Sequence, residues 1–150
     1  MSRDVGKGLH FPAVNFYDGQ GFMVRQSKGA RSARDLKGAS VCVTQASSNE
    51  LNLADYSRAN GLEYAILPLR TGDELKTAYE AGRCDTFSAD LSQLSSIRLG
   101  LENPADHHLL PEVISKGPLG PWVRHGDDQW FDVVRWTIIA MINAEELGVT

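Results

Sequence analysis

The feature that most narrows the fold is a rhythm between residues 40 and 114. Short β-branched or aromatic runs alternate there with segments of helical period. "SVCVT" (40–44) leads into a helical stretch from Asn49 to Asn60 that stops at Gly61, and "EYAILPL" (63–69) leads into "GDELKTAYEAG" (72–82), whose Leu75, Ala78 and Tyr79 share one face. "DTFSA" (85–89) precedes the helix-like "DLSQLSSIRLGL" (90–101), and "HHLLPEVI" (107–114) is a fourth strand. Strands separated by helices of about ten residues build βαβ units. The expected fold is therefore α/β: three layers around an open, mostly parallel sheet with right-handed crossovers.

The flanks are less regular. Residues 1 to 20 read as loop plus one short strand, followed by the apolar strand "GFMVRQ" and the short helix "SARDLKG", which Ser32 caps and Gly38 stops. Near the other end, "SKGPLGPWVRHGDDQW" holds an extended run from Trp122 to Arg124, and Asp127 or Asp128 caps a last helix from about Gln129 to Leu147. Apolar residues at 130, 131, 133, 134, 136, 138, 139, 141 and 142 nearly encircle that helix, so it needs cover on two sides.

Composition excludes several classes of partner. The 150 residues carry a net charge of −4, which disfavours nucleic acid and anionic membranes, since both attract a basic stripe. No apolar run approaches the roughly 20 residues that span a bilayer. "MSRDVGKGLHFPAV" has charges but no apolar h-region, so the chain as given is expected to stay in the cytoplasm unless a leader was removed. Cys42 and Cys84 read as two buried thiols, or as one disulfide in an oxidising compartment. Neither has zinc spacing, and the adjacent His107 and His108 point to opposite faces of a strand. His10 and His125 stand isolated, so no metal is expected. No H-E-x-x-H, G-x-S-x-G or G-x-G-x-x-G occurs, and no cofactor is expected.

Two strand-to-helix turns carry the candidate chemistry. In Gln45-Ala46-Ser47-Ser48-Asn49-Glu50, Ser47 and Glu50 match the S-x-x-E capping box. Ser48 and Asn49 then fall in the first helical turn, where unpaired N–H groups favour an anion. Asp90 ends "DTFSAD" and starts the next helix, either as its N-cap with Gln93 three residues on, or as a carboxylate facing a cation. Both turns lie at the carboxyl edge of the expected sheet, where open α/β sheets bind ligands. An anion site beside a carboxylate suits a zwitterionic α-amino acid.

The strings "FPAVNFYDGQGFMVR", "ELNLADY", "YEAGRCD", "VRHGDDQWFDVVRWT" and "NAEELGVT" resemble the general and polar L-amino-acid-binding proteins of bacterial ABC importers, of the glutamate, glutamine and histidine type. The resemblance implies a type II periplasmic-binding-protein fold, two lobes that close on an amino acid, a membrane ABC permease as partner, and a periplasmic location. It maps the α-carboxylate turn, G-T-T-x-E in the family, onto Ala46-Ser47-Ser48-Asn49-Glu50, and the ammonium-binding Asp onto Asp90. Ala46 departs from the glycine and adds a Cβ. Arg3 matches an arginine of the first lobe that pairs with the carboxylate. Tyr17, near the hinge, reads either as part of a side-chain pocket or as an ordinary core aromatic.

Family members are about twice as long. On that mapping, residues 1–26 are a first-lobe remnant and first hinge strand, 27–119 the second lobe, and 120–150 the return hinge strand and last helix. The chain then reads as a truncated amino-acid-binding module without catalysis. Its uncovered last helix predicts a homodimer with exchanged terminal segments. The alternatives are an oligomeric relic without ligand binding, or a dehydratase-like enzyme on the same fold, for which Glu50 is the nearest acid or base.

Overall fold

The computed structural model describes residues 8–149. In chain order the elements are β1 (Leu9–His10), β2 (Phe16–Asp18), β3 (Gln20–Arg25), β4 (Ser40–Thr44), α1 (Ser48–Asn60), β5 (Ala65–Leu69), α2 (Gly72–Glu80) and β6 (Thr86–Asp90). There follow α3 (Leu91–Leu99), β7 (His107–Leu109), β8 (Gly117–Leu119), β9 (Val123–Arg124) and α4 (Asp128–Glu146). The chain divides into two compact units, residues 19–116 and the two terminal segments before and after them.

The inner unit holds a five-stranded sheet of order β5-β4-β6-β3-β7. β4 pairs in parallel with both β5 and β6, whereas β3 runs antiparallel to its neighbours β6 and β7. Four strands thus point one way and β3 alone opposes them.

Alternation along the strands explains the layers. Phe22 and Val24 of β3 and Val41 and Val43 of β4 pack with Leu53 of α1, Leu62 and Tyr64. Met23 and Cys42, one residue out of phase, pack on the other face with Leu75, Ala78 and Tyr79 of α2, Phe87, and Leu94 of α3. Both faces are covered, as the expected three layers require.

The structure departs from the sequence expectation in several places. Two short strands, β1 and β2, stand before residue 20 where one was expected. "SARDLKG" is a 3-10 turn, Ala33–Leu36, because the Asp35 carboxylate folds back onto the amides of Arg31 and Ser32. β7 stops at Leu109 rather than running to residue 114. Pro111 interrupts it, although Leu110 and Ile114 still donate backbone bonds to the carbonyls of Phe22 and Gln20. Cys42 and Cys84 are joined as a disulfide, with Cα atoms 5.8 Å apart, which replaces the reading as two buried thiols. Cys42 lies on β4 and Cys84 two residues before β6, so adjacent parallel strands bring them together.

The terminal unit is built differently. β1 pairs with β9 and β2 with β8, each as a two-stranded antiparallel ribbon. Asp127 caps α4 by accepting from the Trp130 amide at 3.0 Å. No residue of α4 is buried, and Trp130, Val133, Trp136 and Met141 are each more than half exposed. His10 and His125, isolated in sequence, lie edge to face with ring centroids 4.1 Å apart. Among the described residues no helix is long and apolar enough to cross a membrane.

Candidate functional site

The turn after β4 begins with strain. Ala46 has φ +54°, a left-handed conformation that an L side chain resists by about 1 kcal/mol. Glu50 stabilises it, its Oε2 accepting from the Ala46 amide at 2.6 Å. Ser47 is the N-cap. Its hydroxyl donates to the Thr44 carbonyl at 2.6 Å and accepts from the Glu50 amide at 3.3 Å. Glu50 reaches one residue beyond the standard capping box, in which it would take the Ser47 amide. Ser48 and Asn49 occupy the first turn of α1, and their amides have no partner among the described residues. The positive end of the α1 dipole lies there.

The next βα turn repeats the device. Thr71 caps α2 through the Glu74 amide, and Glu74 accepts from the Arg70 amide at 3.0 Å. Such a turn is therefore an ordinary way to start a helix in this sheet. What sets the α1 turn apart is its neighbour.

β4 and β6 are adjacent and parallel, with Val41 level with Thr86 and Cys42 with Phe87. Continuing that register brings Asp90 level with the turn that follows β4, one strand spacing of about 4.8 Å away. Asp90 takes the N-cap position of α3, yet its carboxylate makes no capping bond, so the N-cap reading of that side chain does not hold. The Leu91 amide is instead satisfied by the Gly19 carbonyl at 2.9 Å.

Ser47, Ser48, Asn49 and Asp90 thus share one edge of one sheet. Arg3 lies outside the described residues. Tyr17 sits on β2 in the terminal unit and is 77% exposed.

Sequence reasoning missed Gln20. It opens β3 directly opposite Asp90, and its side chain is fully buried. Its Nε2 donates to the Asn49 carbonyl at 2.8 Å and to Ser88 Oγ at 2.9 Å, while Ser88 Oγ donates to the Gly21 carbonyl. Its Oε1 has no partner among the described residues. A polar residue at the head of an otherwise apolar strand, "QGFMVR", was the available signal. The Leu91 side chain packs against the bare backbone of Gly21, where a Cβ would come 2.5 Å from Leu91 Cδ2 and force that side chain to move.

No protein-family model matches the chain. It is 53% identical over all 150 residues to the general L-amino acid-binding periplasmic protein AapJ of Rhizobium johnstonii, covering 44% of that protein. It is 49% identical over its whole length to the glutamate/glutamine/aspartate/asparagine-binding protein BztA of Rhodobacter capsulatus, again covering 44%. An ABC transporter periplasmic binding protein from Brucella ovis, solved with glutathione bound, superposes with a TM-score of 0.94 at 52% identity, over 99% of this chain and 47% of that one. The chain is homologous to periplasmic amino-acid-binding proteins of ABC transporters. Its fold is that of the type II binding proteins, and the named homologues are transporter components rather than enzymes. The chain spans less than half the length of each of these relatives.

Proposed function

We propose that this chain carries the half of an amino-acid-binding site that grips the ligand's α-carbon substituents, as part of the substrate-binding component of a polar L-amino-acid importer. The amides of Ser48 and Asn49 and the Ser48 hydroxyl take the α-carboxylate, while Ser47 shapes the turn through its bonds to the Thr44 carbonyl and the Glu50 amide; Asp90 takes the α-ammonium. The observation that carries this reading is the parallel adjacency of β4 and β6, which puts an amide-rich helix start and a carboxylate free of capping duty at one sheet edge. One carbon bearing both charges satisfies both groups.

The ligands named for the relatives share that head group. The general amino acids, the four acidic and amide amino acids, and the γ-glutamyl end of glutathione all present a free α-ammonium and α-carboxylate on one carbon.

On this reading residues 27–119 are the second lobe, with 1–26 and 120–150 contributing hinge strands and first-lobe segments, among them Arg3 and Tyr17 for the ligand. The partner is a membrane ABC permease, and the compartment is the periplasm, where the Cys42–Cys84 disulfide is stable. No catalysis is expected, since Glu50 is committed to the Ala46 amide. Calorimetric titration with the twenty L-amino acids and glutathione tests the proposal. Saturable heat with several of them, abolished by Asp90→Ala, supports it; silence across the panel overturns it.

A second reading concerns assembly. Because no residue of α4 is fully buried, we propose that a second copy of the chain covers its apolar face. Light scattering at tens of micromolar decides this, a compact monomer being the contrary result.

A further inference from the structure

We infer that Gln20 is the positioning residue of this site: its buried carboxamide fixes the amide end of α1 relative to the Asp90 end of β6. The inference rests on the amino-acid-binding reading above and adds to it the device that sets the spacing of the two poles.

A ligand with both charges on one carbon demands a fixed distance between the groups that bind them, and small misplacements weaken such a grip steeply. The α1 turn follows β4, whereas Asp90 closes β6. Among the described residues no side-chain hydrogen bond joins α1 to β6 directly; Gln20, from a third strand, joins both, through the Asn49 carbonyl at 2.8 Å and Ser88 Oγ at 2.9 Å. Its own backbone is held as well. Its amide donates to Ser115 Oγ at 3.0 Å, its carbonyl accepts from Ile114, and it stands in register with Asp90.

Chemistry explains the residue type. Two N–H donors on one nitrogen serve two acceptors; a glutamate has no donor to offer, and an asparagine is one methylene short. The arrangement leaves Oε1 buried without a partner among the described residues, an unfavourable state for a residue serving stability alone. Replacing the carboxamide with an apolar chain of like length removes that unpaired acceptor together with the two bonds, and Ser88 Oγ keeps its bond to Gly21. Gln20→Met should therefore cost little stability while loosening the two poles.

The test uses Gln20→Met and Ser88→Ala, the second deleting one acceptor while leaving Gln20 in place. Amide hydrogen exchange at residues 50 to 53 is read without ligand. Calorimetry is then run with L-glutamine and with two analogues that each lack one pole, glutaramate and 4-aminobutanamide. In Gln20→Met, exchange at the start of α1 should accelerate about tenfold and L-glutamine affinity fall about tenfold, with the one-pole analogues changing less than about threefold. Ser88→Ala should fall between Gln20→Met and the parent.

Unchanged exchange at residues 50 to 53 in both variants overturns the inference. So does an equal loss for L-glutamine and its one-pole analogues, or an affinity loss that only follows a lowered melting temperature. If the parent chain binds no α-amino acid, the functional reading fails, while the exchange measurement still decides whether Gln20 ties α1 to β6.

Discussion

The two units of this chain use their apolar residues in opposite ways. In the inner unit the sheet is sandwiched: Val41, Val43 and Phe22 on one face, Cys42, Met23 and Phe87 on the other, all completely buried. In the terminal unit two short ribbons accompany a nineteen-residue helix that has no buried side chain, and a groove of ≈ 600 Å³ beside Trp130, Val134 and Ile138 stays open. The first unit has the means to hold a site rigidly by itself. The second has the composition of a core and only part of the structure that a core needs. All three tryptophans, Trp122, Trp130 and Trp136, belong to the terminal unit, so tryptophan emission reports on that unit alone.

The largest expected effect falls on the inner unit. The disulfide joins cysteines 42 residues apart in sequence, and cross-linking a loop of that length stabilises by about 4 kcal/mol in the chain-entropy treatment. Urea unfolding of Cys42→Ala/Cys84→Ala, followed by circular dichroism, should show that loss, while the tryptophan transition moves far less. If the two signals shift together, the two units unfold as one cooperative block and do not differ in this way.

Next in size is the exposed helix. Placing a charge at Trp136 should weaken self-association by about 2 kcal/mol, the scale on which buried aromatic anchors act. Sedimentation across a hundredfold concentration range would read it. An unaltered distribution for Trp136→Glu would mean that this face is not what holds two copies together.

Much of the inner unit was legible in the sequence because each level agreed with the next. Gly61 follows α1 with φ +61°, Ser47 caps it, and the alternation on β4 matches its two buried faces. Gly82 after α2 and the acids of its first turn tell the same story. The Ser48 and Asp90 turns could be placed at one edge because parallel strands with helical crossovers all end there. Gln20 could not be found that way. Its role depends on β3 running antiparallel between β6 and β7, a pairing across more than sixty residues that no local pattern encodes. The disulfide was open for a similar reason, since spacing along the chain says nothing of which strands become neighbours. The His10–His125 contact likewise arises only once β1 pairs with β9.

A smaller effect tests how the inner unit is tied together near the start of β4. Asp85 accepts from Lys28 at 2.6 Å and from the hydroxyl and amide of Ser40. Lys28 first, and then Ser40, hold its carboxyl down at about 2, against an ordinary 3.8. A carboxylate kept ionised in the folded state contributes stability in full above its unfolded pKa, and the contribution disappears as pH falls through the folded value. Asp85→Asn should therefore lower stability at neutral pH and flatten the acid limb between about pH 4 and pH 2. The pair is partly exposed, so salt should shrink the effect. Parallel acid limbs for the parent and the variant would place the acid sensitivity elsewhere.

The smallest effect lies at the candidate site itself. Ala46 sits at φ +54°, and glycine there removes the clash of Cβ with its own backbone while adding freedom to the unfolded chain. The two terms oppose each other, and a net gain of about 0.5 kcal/mol is expected for Ala46→Gly. The gain should appear in the circular dichroism transition and not in tryptophan emission, because the strain belongs to the inner unit. A loss of stability instead would show that the Ala46 methyl is not strained, and that the bond from its amide to Glu50 suffices to hold the left-handed turn. The sign of this one small number therefore says whether the rigid unit has placed its strain at the edge where the ligand is proposed to bind.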